Sequence, residues 1–455
     1  MVSVPPQHGK TVFLSEAFTS YFLVNNPDES VILTAYSQQR ATKYGLRVRD
    51  IINRYSSYTM FKPKLSQDQQ SKADFELGYP YKGRLLAAGA HGAIMGNPAN
   101  LIVIDDPIKE LKDAGSPTMQ DNLEEWYSGS INSRLRKRTD GKPPIVIILA
   151  QRLNTRDLQG ILMEKGNYID GKEALARLDN GETIKHKTWV NLNFPAICDD
   201  PDTDLLGRKM GEPLWAEHKN LEDLKYDREL MGNYRFNTIM QGKPVKLEGA
   251  IFKRHNFYNE DGTLNCLVPE SLVYEHLPKV RCWDLAARFK SVDLDGADEV
   301  SGILTSHDPK TDNLYIFDIV NGKYTATRLL HEIKRTIHDD GFNIVTNIEQ
   351  EGGSHSVLFI TQLSEELDQY NIIHHKPIGD KAYRTLELQR YCDFNKLKFV
   401  VNEHENKNWI YKVVEQLISF DGSDSDASKG KHDDIVDSLS ASANYWLLEH
   451  NKPSL

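Results

Sequence analysis

The chain has 455 residues, more than one ordinary core organises, so two domains of roughly 200 residues each are expected. With 39% hydrophobic and 26% charged residues it reads as a folded chain, and no apolar run approaches the ~20 residues that a membrane helix needs. The formal charge of −10 argues against a protein that coats nucleic acid, although an enzyme needs only a local basic face, and carboxylates that hold metal ions count as negative.

Cys198, Cys266, Cys282 and Cys392 lie far apart without a C-x-x-C pair, which argues against a disulfide framework or a structural zinc. The N-terminus lacks a basic region followed by an apolar one. A reducing, cytoplasmic setting is expected, neither secreted nor in a membrane.

The first element is "VPPQHGKT", whose end is that of a phosphate-binding loop. In such a loop the backbone N–H groups of Gln7, His8 and Gly9 and the following helix N-terminus hold phosphates. Lys10 reaches the β and γ phosphates, and Thr11 coordinates magnesium. The usual pattern is G-x-x-x-x-G-K-[ST], and Val4 occupies its first glycine position. Taken alone, "QHGKT" has a competing, less favoured reading as a chance turn before a helix. Leu14, Ala17, Phe18, Tyr21 and Phe22 recur at helical spacing, and "SVILTAYS" then reads as a buried strand.

"ANLIVIDDPIKE" is an apolar run ending in two carboxylates, as expected of a parallel strand whose tip reaches a nucleotide. Asp105 is expected to hold magnesium through water and Asp106 to orient the attacking water. A third strand, "PPIVIILAQR", carries Gln151 and Arg152 at its tip, where a residue sensing the γ phosphate belongs, and "LNTRDLQGILM" continues as loop and helix. Strands alternating with helices predict a mainly parallel sheet.

"VPPQHGKT", "GAHGAIMGNPANLIVIDDPIK" and "AQRLNTRDLQG" occur in the order and style of the large terminase subunits of tailed bacteriophages. "LLGRKMGEPLWAEH" and "YRFNTIMQGKPVKLEGAIFKR" extend the resemblance through the family's connecting region, so that it covers nearly the whole chain. Where the family often has Thr-Arg-Trp-His this chain has Gln151, Arg152, Leu153 and Asn154, and the coupling role carries over mainly to Arg152. The resemblance implies an α/β chain: a P-loop ATPase (motor) domain with a mainly parallel sheet over residues 1–235, a connecting region over 236–273, and a ribonuclease H-like nuclease domain with a mixed sheet over 274–455.

It also implies ATP-driven movement of double-stranded DNA into a procapsid and cutting of concatemeric DNA. The partners would be duplex DNA, the portal protein, a small terminase subunit and further copies in a ring, in the cytoplasm of a bacterial host and transiently at the portal. Arg134, in the basic run "SRLRKR", is the candidate trans-acting arginine. Only Val2 to Val4 precede the loop as strand, so a natural N-terminal part is expected to be missing, with losses in adenine affinity and sheet stability.

In the second half "KVRCWDLAA" is a strand carrying Asp284, and "VSGILTSHD" and "NLYIFDIVNGKY" complete an antiparallel meander. A helix, "TRLLHEIKRTIHDDG", leads to the strand "NIVTNIEQEGG" with Glu349 near its end, and "KGKHDDIVDSLSASANYWLLEH" is a helix entered through Asp433 and Asp434. Carboxylates on two strand ends and one helix start resemble the ribonuclease H-like nucleases. Such sites hold two magnesium or manganese ions about 4 Å apart at the scissile phosphate.

Asp284 is assigned as the bridging ligand, with Glu349 and Asp434; Asp433 competes for the last role, and Asp298 is an accessory candidate. Capping of the helix is the competing reading of Asp433 and Asp434. Asp437 lies one turn beyond Asp433, facing either the site or solvent. Lys381 and Arg384, on one helix face in "KPIGDKAYR", are expected to contact DNA phosphates. "DGSDSDASKG" reads as a mobile loop.

The rivals are a metal-dependent DNA nuclease with a crippled, truncated ATPase half, and a helicase-like or repair ATPase without cutting activity. A non-catalytic structural component leaves both the lysine loop and the acidic triad unexplained.

Overall fold

The computed structural model describes residues 1–90, 92, 94–245, 251–285, 299–350, 354–377, 379, 381–402, 408–422 and 433–450. Asp298 and the stretch from Ser423 to Gly430 lie outside them. The chain divides into two compact units, one of Met1–Arg228 with Tyr234–Val245, the other of Glu229–Asn233 with Lys246–Leu455. Among the described residues no helix is long and apolar enough to cross a membrane.

The first unit is built on nine strands, β1 (Val2–Ser3), β2 (Ser30–Ala35), β3 (Leu65–Gln70), β4 (Asp74–Leu77), β5 (Arg84–Gly89), β6 (Leu101–Asp105), β7 (Ile145–Ala150), β8 (Tyr168–Asp170) and β9 (Trp189–Asn193). They lie in the order β3-β4-β5-β2-β6-β7-β1-β9-β8. From β5 to β8 every pairing is parallel, while β3 and β4 add an antiparallel margin. The continuous apolar runs of β2 and β6 suit strands buried on both faces: Val31, Ile32, Leu33, Leu101, Ile102, Val103 and Ile104 are all buried.

Register fixes which tips share an edge. Ala35 pairs with Asp105, Asp105 with Leu149, and Ala150 with Ser3. The segments leaving β1, β2, β6 and β7 therefore emerge together: Pro5–Lys10, Tyr36, Asp106 and Gln151–Arg152. β1 has only two residues, yet both are paired on both sides, Val2 with Leu149 and Leu192.

The helix after the loop begins as a π-helical stretch, Thr11–Phe18, and continues as an α-helix, Thr19–Asn25. It buries Ser15, Glu16, Thr19 and Ser20 with Phe22 and Leu23, and leaves Ala17 and Tyr21 exposed. The wider π turn rotates the face that simple α spacing would set, and Ser15 points at Asp105 on the sheet edge.

The second unit contains β10 (Leu267–Pro269), β11 (Lys279–Asp284), β12 (Val300–Asp308), β13 (Asn313–Gly322), β14 (Val345–Glu349), β15 (Ile372–His375) and β16 (Leu397–Val401), in the order β10-β16-β13-β12-β11-β14-β15. β11, β12 and β13 form the expected antiparallel meander, and β14 and β15 lie parallel to β11 on its other side.

Side chains alternate across a strand, and here the alternation sorts the two faces. Trp283 and Ile348 pack with Leu329, Ile333 and Ile337 of the helix Ala326–Asp340. Val280, Cys282 and Ile303 pack on the opposite face with Ile435, Val436 and Leu439 of the helix Asp434–His450. Gly302 lies opposite Trp283 in register, and a Cβ there would stand 2.6 Å from the indole, so this position requires glycine.

Candidate active sites

At the first sheet edge the Lys10 ammonium donates to Asp106 Oδ1 at 2.7 Å. Asp106 has a φ of 43°, and the same Oδ1 accepts from the Gln151 N–H at 3.1 Å. Beside it, Ser15 Oγ donates to Asp105 Oδ2 at 2.5 Å. Asp105 is fully buried, and its Oδ1 has no hydrogen-bond partner. Burial pushes its pKa up to about 6, and the Asp106 charge adds to that, against Ser15, Lys10 and Thr11.

In the loop, Gln7 and Gly9 have positive φ, 63° and 79°. Among the described residues, their backbone N–H groups make no hydrogen bond. Free N–H groups before a helix suit an anion. The His8 side chain is pinned differently: Nδ1 meets the Pro6 carbonyl at 2.8 Å, and the ring packs edge-on against His218. Only its backbone faces the loop's purpose.

Arg152 stands at the expected edge, but its side chain is buried against Asp157, with Nε 3.0 and 2.9 Å from the two carboxylate oxygens. Asp157 also accepts from Gly160 N at 3.0 Å, as cap of the helix Leu158–Glu164. The guanidinium thus braces the segment after β7. Arg134 precedes β7, at the opposite end of the strands, and its side chain donates to Ser133.

The second site lies on the face of β11 and β14 covered by the helix Asp434–His450. Two residues apart on their strands, Asp284 shares a face with Cys282 and Glu349 with Asn347, whose amide donates to Cys282 Sγ. Trp283 pairs with Ile348 in parallel register, which brings Asp284 and Glu349 to one edge. Ser301, the register partner of Asp284, meets Ser438 at 2.7 Å, and this seats the first turn of the helix, with Asp434 and Asp437, over the same edge.

Asp284, Glu349, Asp433, Asp434 and Asp437 are each no more than 8% exposed. Lys381 Nζ donates to Asp433 at 2.5 Å and lies 3.1 Å from Asp437; Arg384 donates to Glu349 at 3.2 Å and lies 3.8 Å from Asp437. Burial works against the Lys381 ammonium, but Asp437 and Asp433 outweigh it and hold it above the usual lysine range. Burial likewise raises the Asp433 pKa. His375 lies 3.8 Å from Glu349 and is pushed down to about 4 by burial, then by the Arg384 charge.

Lys381 and Arg384 thus hold carboxylates of the site itself. Asp437 faces the site. It and His375 are members that sequence reasoning leaves open or misses.

Both sites offer oxygen donors suited to hard divalent cations. At the first, Asp105 Oδ1 is buried without a hydrogen bond. At the second, Asp437 Oδ1 is buried without a hydrogen bond. Among the described residues, no three His, Cys, Asp or Glu side chains converge on one point as they stand. Holding an ion at the second site requires Asp433, Asp437 or Glu349 to turn from its cation. Lys381→Met is expected to destabilise the chain by about 3 kcal/mol in EDTA, because two buried carboxylates lose their partner, and manganese should restore part of it. The check is the unfolding midpoint with and without metal; an unchanged midpoint in EDTA would show that the pair contributes nothing.

The fold is therefore α/β: a mainly parallel nine-stranded sheet followed by a mixed seven-stranded sheet. Residues 1–130 match the family model described as terminase large subunit, T4likevirus-type, N-terminal. No curated protein matches it in sequence. Among solved structures it is similar to the large terminase of a thermophilic bacteriophage, at 11% identity over 98% of this chain and 93% of that one, with a TM-score of 0.49. It is also similar to the P22 large terminase nuclease domain, at 14% identity over 45% of this chain and 95% of that one, with a TM-score of 0.31.

Proposed function

We propose that the chain hydrolyses ATP to drive double-stranded DNA into a procapsid and cuts concatemeric DNA with a metal-dependent nuclease. The observation that carries this reading is the pairing of the loop after β1 with the tip of β6, Lys10 on Asp106 and Ser15 on Asp105, with one buried Asp105 oxygen left without a partner.

In the first unit, the N–H groups of Gln7 and Gly9 receive phosphate oxygens. Lys10 transfers its charge from Asp106 to the terminal phosphate, which frees Asp106 to orient the attacking water and accept its proton. Thr11 and Asp105 would hold the magnesium ion, which supplies charge neutralisation to the phosphates. Arg152, through Asp157, fixes the segment whose Gln151 N–H holds Asp106.

In the second unit Asp284, Glu349 and Asp434 would hold two divalent ions, with Asp433 as alternative; the ions supply Lewis acidity at the scissile phosphate. Lys381 and Arg384 neutralise the neighbouring carboxylates, and when released are in place to bind the phosphates of the cut strand. The partners proposed are duplex DNA, the portal protein, a small terminase subunit and further copies in a ring, in the host cytoplasm and at the portal. The domains proposed are residues 1–235 and 274–455, joined by 236–273.

The test is steady-state ATP hydrolysis by the full chain with and without linear duplex DNA, with manganese-dependent plasmid cutting followed in parallel. Hydrolysis stimulated by DNA, together with cutting, is the expected result. Cutting without hydrolysis would reduce the first unit to an inactive attachment, and hydrolysis without cutting would make the chain a translocating ATPase alone.

A further inference from the structure

With Arg152 committed to Asp157, the phosphate loop needs another arginine if one is to meet the terminal phosphate, and the same sheet edge supplies it. Tyr36 directly follows β2, whose last residue, Ala35, is the register partner of Asp105. The helix Gln38–Tyr55 starts there, capped by Ser37, which accepts from the Arg40 N–H.

The Arg40 side chain is exposed and is held by two phenols. Nε donates to the Tyr36 hydroxyl at 3.0 Å, Nη1 lies 3.4 Å from the Tyr44 hydroxyl, and the guanidinium carbon sits 5.3 Å from the Tyr36 ring centre. Among the described residues no carboxylate pairs with Arg40, and its Nη2 meets no acceptor. Tyr44 is buried.

Neutral acceptors leave the guanidinium charge uncompensated while fixing its orientation, which suits a planar fork waiting for an anion. An arginine serving only as solvated surface would not need two aromatic hydroxyls to aim it. Holding the side chain in advance also lowers the entropy lost on binding.

We propose that Arg40 contacts the terminal phosphate of the nucleotide in cis, with Tyr36 and Tyr44 as positioning residues. The proposal rests on the reading that the loop binds ATP. As the γ phosphate departs, its developing charge meets Nη2. The interaction exists with the triphosphate and not with the diphosphate, so it separates the two ligands.

The test uses the full chain with Arg40→Ala, Arg40→Lys and Tyr44→Phe beside wild type and Lys10→Ala, measuring kcat and KM for ATP and equilibrium affinities for ADP and ATPγS. Arg40→Ala is expected to lower kcat on the order of 10²-fold. Its ATPγS affinity should fall about tenfold, as for one charged hydrogen bond, with ADP affinity and unfolding midpoint unchanged. Arg40→Lys should recover part of the loss, and Tyr44→Phe should lower kcat less than Arg40→Ala. Wild-type kcat in Arg40→Ala beside an inactive Lys10→Ala would overturn the Arg40 assignment and leave the phosphate loop standing. Equal losses for ADP and ATPγS would also overturn it. No hydrolysis by wild type would overturn the loop reading and this inference with it.

Discussion

Lys10→Ala is expected to abolish ATP hydrolysis, with a fall in kcat of at least 10²–10³-fold, roughly the loss seen when one preorganised charge or donor is removed from a reacting centre. The lysine side chain is only 9% exposed and already lies 2.7 Å from a carboxylate at the tip of β6. It is therefore fixed before a nucleotide arrives. Without it, Asp105 and Asp106 face each other with no ammonium between them and the incoming phosphates, and the charge of Asp106 bears more heavily on a carboxyl that burial has pushed up to about 6. Nucleotide affinity should fall along with turnover. Plasmid cutting by the same variant should continue, since every group assigned to cutting belongs to the second unit's sheet and helices. ATP turnover in Lys10→Ala at the wild-type rate would remove the loop from the chemistry altogether.

Much of this arrangement is legible in the sequence because it depends on local pattern. "SVILTAYS", "LIVIDD" and "PPIVIILAQR" are buried parallel strands, and the run of three strands after Tyr274 is a meander, as the apolar runs and their turns predict. The marginal strands are less visible: "LSQDQQ" in β3 is polar throughout after its leucine, and β1 is two residues long, so both are defined by their neighbours. The π-helical start of the first helix is also hidden, since Val12 and Phe13 are exposed where α spacing offers no reason for it.

Site residues follow the same division. Asp284, Glu349 and Asp434 stand out because strand ends and helix starts are readable, whereas their partners are tertiary. Asp157 is recognisable as a helix cap in "TRDLQG", but its capture of Arg152 depends on the loop's path. Asp437 follows Asp433 at the spacing of one helical turn, a signal that places it near the site. That Lys381, far away in sequence, lies between the two is not legible. Nor is Arg40, whose significance comes from two tyrosines that any stretch reading "YSQQRATKY" would carry without comment.

Asp284→Asn should remove manganese-dependent cutting, by about 10²–10³-fold or more, while leaving ATP hydrolysis at the wild-type rate. Alternation along β11 directs this carboxylate to the face covered by the helix Asp434–His450, at the edge where β14 ends in Glu349. The amide keeps the shape of the carboxylate but replaces one acceptor oxygen by a donor and withdraws the negative charge that a divalent ion requires, and the unfolding midpoint separates this loss from a folding defect. The control is the unfolding midpoint in EDTA, which should stay near that of wild type. Lys381 and Arg384 are unaltered in this variant, so the DNA binding proposed for them should persist without cleavage. Cutting undiminished in Asp284→Asn would place the scissile chemistry on Asp433 and Asp437 instead, and Lys381 would then be the cation that any metal ion must displace.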